Sequence, residues 1–200
     1  RTENSHMKTE RRFSSKKEVT GMNGSSKPLI LIVDDTPRVR QAISYLLTKK
    51  DYDISAAGNA AEALNLLSER PADLIILDVM MPETDGFELC RQLKEYKETK
   101  DIPVIFLTAK TTPSDIAKGL AAGAVDYIKK PYNSEELLLR VELHLKLKKS
   151  RDNEKAHMFR LKTLFEKYRE ISACEACKEF FNEDYLKEME EYIKRYEQGL

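Results

Sequence analysis

The sequence predicts a doubly wound α/β fold, in which a five-stranded parallel sheet is covered by helices on both faces. Five short apolar runs lie between residues 29 and 128, and each is followed by a helical segment. Runs this short and this apolar are typical of strands buried on both faces. Parallel strands require crossover connections, and the helical segments supply them. The predicted strands are Leu29–Val33, Ile54–Ala57, Leu74–Leu77, Val104–Leu107 and Val125–Ile128.

Capping residues mark where four of the helices begin. Thr36 precedes a first-turn proline after the first strand, and Asn59 follows the second strand with a glutamate three residues later. After the fourth strand, Thr112 combines a cap, a first-turn proline and an acid at the third position. Ser134 and the two glutamates after it open the last helix, where acids suit the positive helix end.

The chain divides into three regions. Residues 1–27 are polar and aperiodic, so we expect a disordered arm that includes a tag remnant over its first six residues. Residues 28–147 form the α/β domain, and residues 148–200 form a mostly helical extension. Residues 148–157 have no large apolar side chain, which indicates a solvated helix or a hinge. Two amphipathic helices follow, with apolar faces formed by Met158, Leu161, Phe165 and Tyr168 and by Leu186, Met189, Ile193 and Tyr196.

Composition excludes several classes of protein. Basic and acidic residues number 34 each, so the chain lacks the basic bias of nucleic-acid binders. No apolar run approaches the roughly 18 residues that a membrane span needs. Three cysteines, an odd number, argue against a disulfide framework and for a reducing compartment. We therefore expect a cytoplasmic protein that binds neither membrane nor nucleic acid.

Polar residues follow four of the five predicted strands. Because ligand sites in such sheets form beyond the carboxyl ends of the strands, we expect these side chains to lie together. Three converging carboxylates repel one another, and oxygen ligands suit Mg²⁺, which would relieve that repulsion. A lysine and a threonine nearby suit a phosphoryl group. The residues are Asp34, Asp35, Asp78, Thr108, Lys129 and Lys130.

From Lys27 to about Leu147 the chain resembles a response-regulator receiver domain of two-component signalling. The matching strings are LILIVDD, LIILDVMMPETDG, VIFLTAK and DYIKKP, which occur in this order at the ends of strands. The resemblance implies a flavodoxin-like strand order of 2-1-3-4-5. It also implies a phosphoryl acceptor, a magnesium site and a histidine kinase as the donor of the phosphoryl group.

The resemblance assigns a role to each acid. It implies that Asp78 accepts the phosphoryl group and belongs to the metal site. Asp35 would ligate Mg²⁺ directly, and Asp34 would do so directly or through water. The backbone carbonyl of Met80 would be a further ligand.

The resemblance also identifies the residues that sense phosphorylation. Thr108 would hydrogen-bond the phosphoryl oxygens, and Lys130 rather than its neighbour Lys129 would pair with them. A cis bond is expected between Lys130 and Pro131. Movement of Thr108 would vacate space that the ring of Tyr127 fills, which would change the face formed by the fourth helix, the fifth strand and the fifth helix.

The three cysteines have different interpretations. Cys90 lies on a predicted helix among apolar residues, which favours core packing. Cys174 and Cys177 form a Cys-x-x-Cys pair, which is half of a tetrahedral zinc site. Their segment resembles the start of a cysteine-pair cassette of some bacterial signalling proteins. Structural helix residues without metal, a latent or shared Zn²⁺ site, and redox chemistry all remain open for this pair.

These observations favour a phosphorylation-dependent switch whose output is protein–protein contact with an unidentified downstream protein. The helical extension would then serve for homodimerisation or coupling. The alternative is the N-terminal regulatory part of a larger signalling protein or transcription regulator whose output module is absent from this chain. Self-phosphorylation from small phosphodonors and self-dephosphorylation are the only reactions expected, so we do not expect an enzyme.

Overall fold

Five parallel strands and six helices make up the part of the chain that a computed structural model describes, which is residues 27–82, 84–110, 112–172 and 183–199. The elements are β1 (Leu29–Val33), α1 (Pro37–Thr48), β2 (Asp53–Ala57), α2 (Ala60–Glu69), β3 (Leu74–Leu77), α3 (Gly86–Glu95), β4 (Val104–Thr108), α4 (Pro113–Ala121), β5 (Asp126–Lys129), α5 (Ser134–Ser172) and α6 (Glu183–Glu197).

The sheet has the strand order β2-β1-β3-β4-β5, and every pair of neighbours is parallel. Strands β1, β3 and β4 lie in the middle, and all their residues are buried. Alternate side chains of these strands pack against α2 and α3 on one face and against α1 and α5 on the other. The predicted doubly wound fold and its strand order are therefore confirmed.

Three strands have boundaries that differ from the apolar runs, because ladder pairing, and not hydropathy, decides where a strand begins and ends. Strand β2 begins one residue earlier than predicted. In β5, Asp126 pairs with Ile105 and Lys129 pairs with Thr108, so the strand starts and ends one residue later than predicted. Val125 precedes the strand and is 39% exposed. Strand β4 likewise continues through Thr108, which carries it to the edge of the sheet where the polar residues lie.

All four predicted helix starts are confirmed, and the predicted residue makes the cap hydrogen bond at two of the four helices. The Asn59 side chain accepts from a backbone N–H of α2, and Thr112 forms a capping box at α4. Thr36 is the N-cap residue of α1, but its side chain makes no cap hydrogen bond, and its hydroxyl donates to Asp35 at 3.2 Å. At α5 the cap is Asn133, whose Oδ1 accepts from the N–H groups of residues 135 and 136 at 2.7 and 3.2 Å.

Contacts divide the chain into two compact units with a boundary after Lys148. Within the second unit, Met158 of α5 and Ile193 of α6 are buried. Lys162 Nζ lies 2.5 Å from Glu197 Oε1, which joins the two helices. Residues 149–157 are helical and almost all exposed, so of the two interpretations of this stretch the structure shows the solvated helix. Among the described residues, no helix has the length and apolar character needed to cross a membrane.

Two groups of predictions lie outside the described residues. They are the disordered arm, of which residues 1–26 are not described, and the Cys-x-x-Cys pair at Cys174 and Cys177. Cys90, by contrast, is buried in the core as predicted, and its thiol donates to the Ala122 carbonyl at 3.3 Å.

Candidate functional site

Asp34 leaves β1 at the carboxyl edge of the sheet and is only 2% exposed. Its backbone N–H continues the ladder to the carbonyl of Ala57, which holds the residue in line with the strand. One carboxylate oxygen, Oδ1, accepts from the Thr36 N–H at 2.9 Å, and the other lies 2.6 Å from Lys130 Nζ. Asp35 follows it and is exposed. One acid is therefore fixed in the protein, while the next faces solvent.

Asp78 directly follows β3 and is 7% exposed. Its N–H donates to the Val33 carbonyl at 2.8 Å, which places it beside the end of β1. Its Oδ1 accepts from the Met80 N–H at 3.2 Å, and its Oδ2 lies 2.8 Å from Lys130 Nζ. The Met80 side chain is 54% exposed, so it lies at the mouth of the site.

Lys130 bridges the two buried acids. Its N–H donates to the Thr108 carbonyl, and its peptide bond to Pro131 is cis, as predicted. Burial lowers the pKa of the ammonium group, but the hydrogen bonds that it donates to Asp34 and Asp78 outweigh burial and raise the pKa overall. Lys129 is exposed on β5. The structure therefore brings Lys130, and not its neighbour, to the acids.

The carboxylate oxygens of Asp34, Asp35 and Asp78 lie within 4.8 Å of one another. Hard divalent cations prefer oxygen ligands, and Mg²⁺ typically takes one or two carboxylates and retains water molecules. The open side at Asp35 leaves space for that water. The donor set therefore fits Mg²⁺ in both the chemistry of its atoms and their spacing.

Thr108 and Tyr127 are connected through the backbone of Lys110. Thr108 is fully buried, and its hydroxyl oxygen accepts from the Lys110 N–H at 3.2 Å. The Tyr127 hydroxyl donates to the carbonyl of the same residue. Its ring lies 6.0 Å from that of Phe106, and burial, followed by the charges of two nearby aspartates, raises its pKa to about 12.

Two residues at the site were not identified from the sequence. Gly86 begins α3, and a β-carbon there would lie 2.2 Å from the carbonyl oxygen of Asp78. The guanidinium of Arg40 donates to the carbonyl of Asp34 at 2.5 Å from the first turns of α1. The Asp85-Gly86 pair is a turn signal that could have indicated the glycine. No sequence signal indicates the contact of Arg40, because it depends on the path of a long side chain.

Comparison with known proteins identifies the family to which the α/β domain belongs. The family model described as the response regulator receiver domain matches residues 30–142, more than half of the chain. The chain belongs to the response regulator receiver domain family. The receiver domain is 42% identical over 125 residues to the transcriptional regulatory protein ResD of Bacillus subtilis. The aligned residues cover 62% of this chain and 51% of ResD.

Two further relatives come from Vibrio cholerae. A probable cyclic di-GMP phosphodiesterase is 44% identical over 131 residues, which cover 66% of this chain and 30% of that protein. The structure of the chemotaxis protein CheY4 matches with a TM-score of 0.56 and 34% identity, covering 58% of this chain and 97% of CheY4. The receiver domain thus has the fold of CheY4. The match spans about half the length of ResD and about a third of the length of the phosphodiesterase.

Proposed function

We propose that this protein is a signalling switch that accepts a phosphoryl group on Asp78 from a histidine kinase. The observation that carries the proposal is the position of the Asp78 carboxylate, which is buried, in contact with Lys130 and within 4.8 Å of two further acids. The family match supports this proposal, because receiver domains take phosphate from histidine kinases.

Asp78 acts as the nucleophile. A carboxylate oxygen of Asp78 forms a bond to phosphorus, and the bond from phosphorus to the donor's imidazole nitrogen breaks, with the electron pair leaving on the imidazole. Asp34, Asp35, Asp78 and the carbonyl of Met80 would hold Mg²⁺, which when bound supplies positive charge beside the transferring phosphoryl oxygens.

Lys130 neutralises charge on the other side of the same carboxylate. Before transfer its ammonium group contacts Asp34 and Asp78 at 2.6 and 2.8 Å. Transfer makes one Asp78 oxygen the bridging oxygen of an acyl phosphate and places charged phosphoryl oxygens beside it. Lys130 therefore exchanges a carboxylate partner for a phosphoryl partner, and it keeps a counter-charge throughout.

Thr108 connects phosphorylation of Asp78 to a shift of residues at the protein surface. Its hydroxyl accepts from the Lys110 N–H, which leaves its own hydrogen for a phosphoryl oxygen. Movement of Thr108 toward that oxygen breaks the bond to Lys110, whose carbonyl is also the partner of the Tyr127 hydroxyl. The β4–α4 connection and Tyr127 then shift together, which alters the surface offered to a downstream protein.

The test is the intact mass of the full chain after incubation with Mg²⁺ and a small phosphodonor. We expect one phosphoryl adduct on the wild type and none on Asp78→Asn. Asp51→Asn is the matched control, since Asp51 is exposed, lies away from the site and has a positive φ of 66° that asparagine adopts readily. An adduct on Asp78→Asn, or none on the wild type, would contradict the proposal.

A second measurement tests whether Asp35 is a ligand of Mg²⁺. Asp35→Asn keeps the shape of the exposed acid and removes its charge. We expect the phosphorylation rate to fall and to need more Mg²⁺ for half-maximal effect, because one ligand is lost. Tryptophan is absent from the chain, so mass is a better readout than fluorescence quenching by the metal. An unchanged Mg²⁺ dependence would exclude Asp35 as a ligand.

A further inference from the structure

Every polar group of Asp34 is held by a contact. Its N–H donates to the Ala57 carbonyl at 3.2 Å, and its two carboxylate oxygens accept from Thr36 and Lys130 at 2.9 and 2.6 Å. Its carbonyl oxygen accepts from Arg40 Nη1 at 2.5 Å. The last of these contacts is explained neither by the strand ladder nor by the proposed reaction.

Arg40 takes the place of a strand partner. In a parallel ladder, the N–H and the carbonyl of one residue bond to residues of the neighbouring strand that are two positions apart. The Asp34 N–H bonds to Ala57, so its carbonyl would next bond to the N–H of residue 59. The chain has left the sheet by that point, because Asn59 caps α2. The guanidinium supplies a donor from α1 instead.

The surroundings of Arg40 fit this role. Its backbone N–H donates to the Thr36 carbonyl at 3.2 Å, so α1 is already formed at this residue. Its half-buried side chain reaches back to the end of β1. The guanidinium lies beside Gly58, where a β-carbon would be 3.4 Å from Nη1. The contact therefore joins the start of one regular element to the end of another.

The carbonyl that Arg40 holds belongs to the peptide group between Asp34 and Asp35. A peptide group is planar, so a hydrogen bond that fixes its oxygen also fixes where the α-carbon of the next residue lies. Asp35 is exposed, and the Thr36 hydroxyl donates to its carboxylate at 3.2 Å. Since solvent does not restrict this side chain, the direction of its backbone decides whether it faces the two buried acids.

We propose that Arg40 is a positioning residue for the Mg²⁺ site and that it acts through Asp35. By holding the Asp34 carbonyl, it keeps the exposed acid directed toward the buried acids, whose oxygens lie within 4.8 Å of its own. Partners that orient metal ligands typically change metal affinity by tenfold or more when they are removed. The inference rests on the proposed function, because it concerns the metal site of that reaction.

The charge of Arg40 predicts the opposite effect. The guanidinium is a cation that contacts the backbone between two of the acids, so it repels Mg²⁺, and its removal would strengthen Mg²⁺ binding. A positioning role requires that its removal weakens Mg²⁺ binding. The sign of the change in affinity therefore decides between the two roles.

The test measures the Mg²⁺ dissociation constant of the full chain without phosphodonor, by NMR titration of nitrogen-15-labelled protein with magnesium chloride. Arg40→Met removes the charge and the donors but keeps an unbranched side chain, and it should raise the dissociation constant about tenfold. Arg40→Lys keeps the charge and a donor, so it should bind Mg²⁺ more tightly than Arg40→Met. Arg38→Met is the matched control, because Arg38 carries the same charge in the first turn of α1 and is exposed. It should not raise the dissociation constant.

A double-mutant cycle tests whether Arg40 acts through Asp35. In a chain that already carries Asp35→Asn, the oriented ligand is lost, so Arg40→Met should change the dissociation constant little. If Arg40→Met instead weakens Mg²⁺ binding as much in that chain as in the wild type, Asp35 is not the residue through which Arg40 acts.

Two results would overturn the proposal outright. They are a dissociation constant of Arg40→Met at or below that of the wild type, and an equal increase in Arg38→Met. Circular dichroism checks that each variant is folded. Because the titration reports on folded protein, a modest loss of stability does not change the dissociation constant.

The phosphoryl adduct at saturating Mg²⁺ is measured on the same samples. A wild type that binds Mg²⁺ but forms no adduct would contradict the proposed function alone. Wild-type Mg²⁺ affinity in Arg40→Met together with a normal adduct would contradict this inference alone. A wild type that does not bind Mg²⁺ would contradict both.

Discussion

At the scale of single residues, Gly86 is where the site leaves no room for a side chain. A β-carbon at this position would lie 2.2 Å from the Asp78 carbonyl oxygen and 2.8 Å from the α-carbon of Val79. Both are backbone atoms, so no change of rotamer relieves the contact. The Gly86 N–H also donates to the Val79 carbonyl at 3.0 Å, which holds α3 against the loop that begins at Asp78.

Gly86→Ala should therefore lower the free energy of unfolding by about 3 kcal/mol, the upper part of the range for overpacked sites. Urea denaturation followed by circular dichroism measures the change. Gly58→Ala is the control, because its β-carbon would meet only the ends of the Arg40 and Glu62 side chains at 3.4 Å. Equal midpoints for the two variants would show that the loop after Asp78 moves aside at little cost.

The sequence predicts site residues that directly follow strands better than it predicts site residues that reach the same edge of the sheet from a helix. Asp34, Asp78 and Lys130 were identified because each directly follows a strand, and the carboxyl ends of parallel strands meet at one edge. Arg40 reaches the same edge from a helix. Its contact depends on the length and path of a side chain, which no spacing rule supplies.

At the scale of elements, Asp126 holds β5 and α5 together. Its carboxylate accepts from Arg140 Nη1 at 2.6 Å and lies 2.9 Å from His144 Nε2, while the Tyr127 N–H donates to it at 2.7 Å. Burial raises the pKa of this carboxyl, but the hydrogen bonds from Arg140 and His144 outweigh burial and lower the pKa below its ordinary value of 3.8. The folded state therefore favours the charged form.

A carboxyl whose pKa is lowered by folding stabilises the protein above its unfolded pKa, and it loses that contribution as the pH falls through the folded value. Asp126→Asn should cost about 2 kcal/mol at neutral pH, because hydrogen bonds to a charged group are lost. The difference from wild type should shrink as the pH falls below 3.8. Urea midpoints across this pH range measure it.

Glu142→Gln is the control for this element, since the Glu142 carboxylate is exposed and pairs with Lys146 of the same helix. It should change the midpoint little at any pH. A difference between Asp126→Asn and wild type that persists in acid would show that the carboxylate charge is not what joins β5 to α5.

The starts of the helices show why some cap hydrogen bonds can be predicted from the sequence and others cannot. Thr112 and Asp115 make a reciprocal capping box, in which both partners lie within four residues of sequence, and the pattern indicated it correctly. Thr36 has the same threonine–proline sequence, yet its hydroxyl bonds Asp35. Donation to an acid does not itself prevent capping, because the Thr112 hydroxyl donates to Asp115 and also accepts from the Asp115 N–H. The acid that Thr112 contacts lies in the helix that it caps, whereas Asp35 precedes Thr36 and belongs to the candidate site, where local rules are least reliable.

At the scale of the whole molecule, the described residues of the two units differ sharply in burial. The fold of the first unit could be predicted from five apolar runs, because strands that are buried on both faces consist of consecutive apolar residues. The amphipathic faces of the second unit were also predicted, and Met158 and Ile193 are buried on them. The sequence alone does not predict what fraction of the side chains of each unit is buried, since that fraction depends on how the elements pack.

Hydrogen exchange should reproduce this difference along the chain. All residues of β1, β3 and β4 are buried, so their amides should exchange only through global opening. Residues 149–157 are helical but almost all exposed, so little packing opposes local opening. Their amides should exchange at least about a thousandfold faster than those of the central strands. Mass spectrometry of peptic fragments measures both sets in one sample, and equal protection would mean that this helical stretch opens only when the sheet itself unfolds.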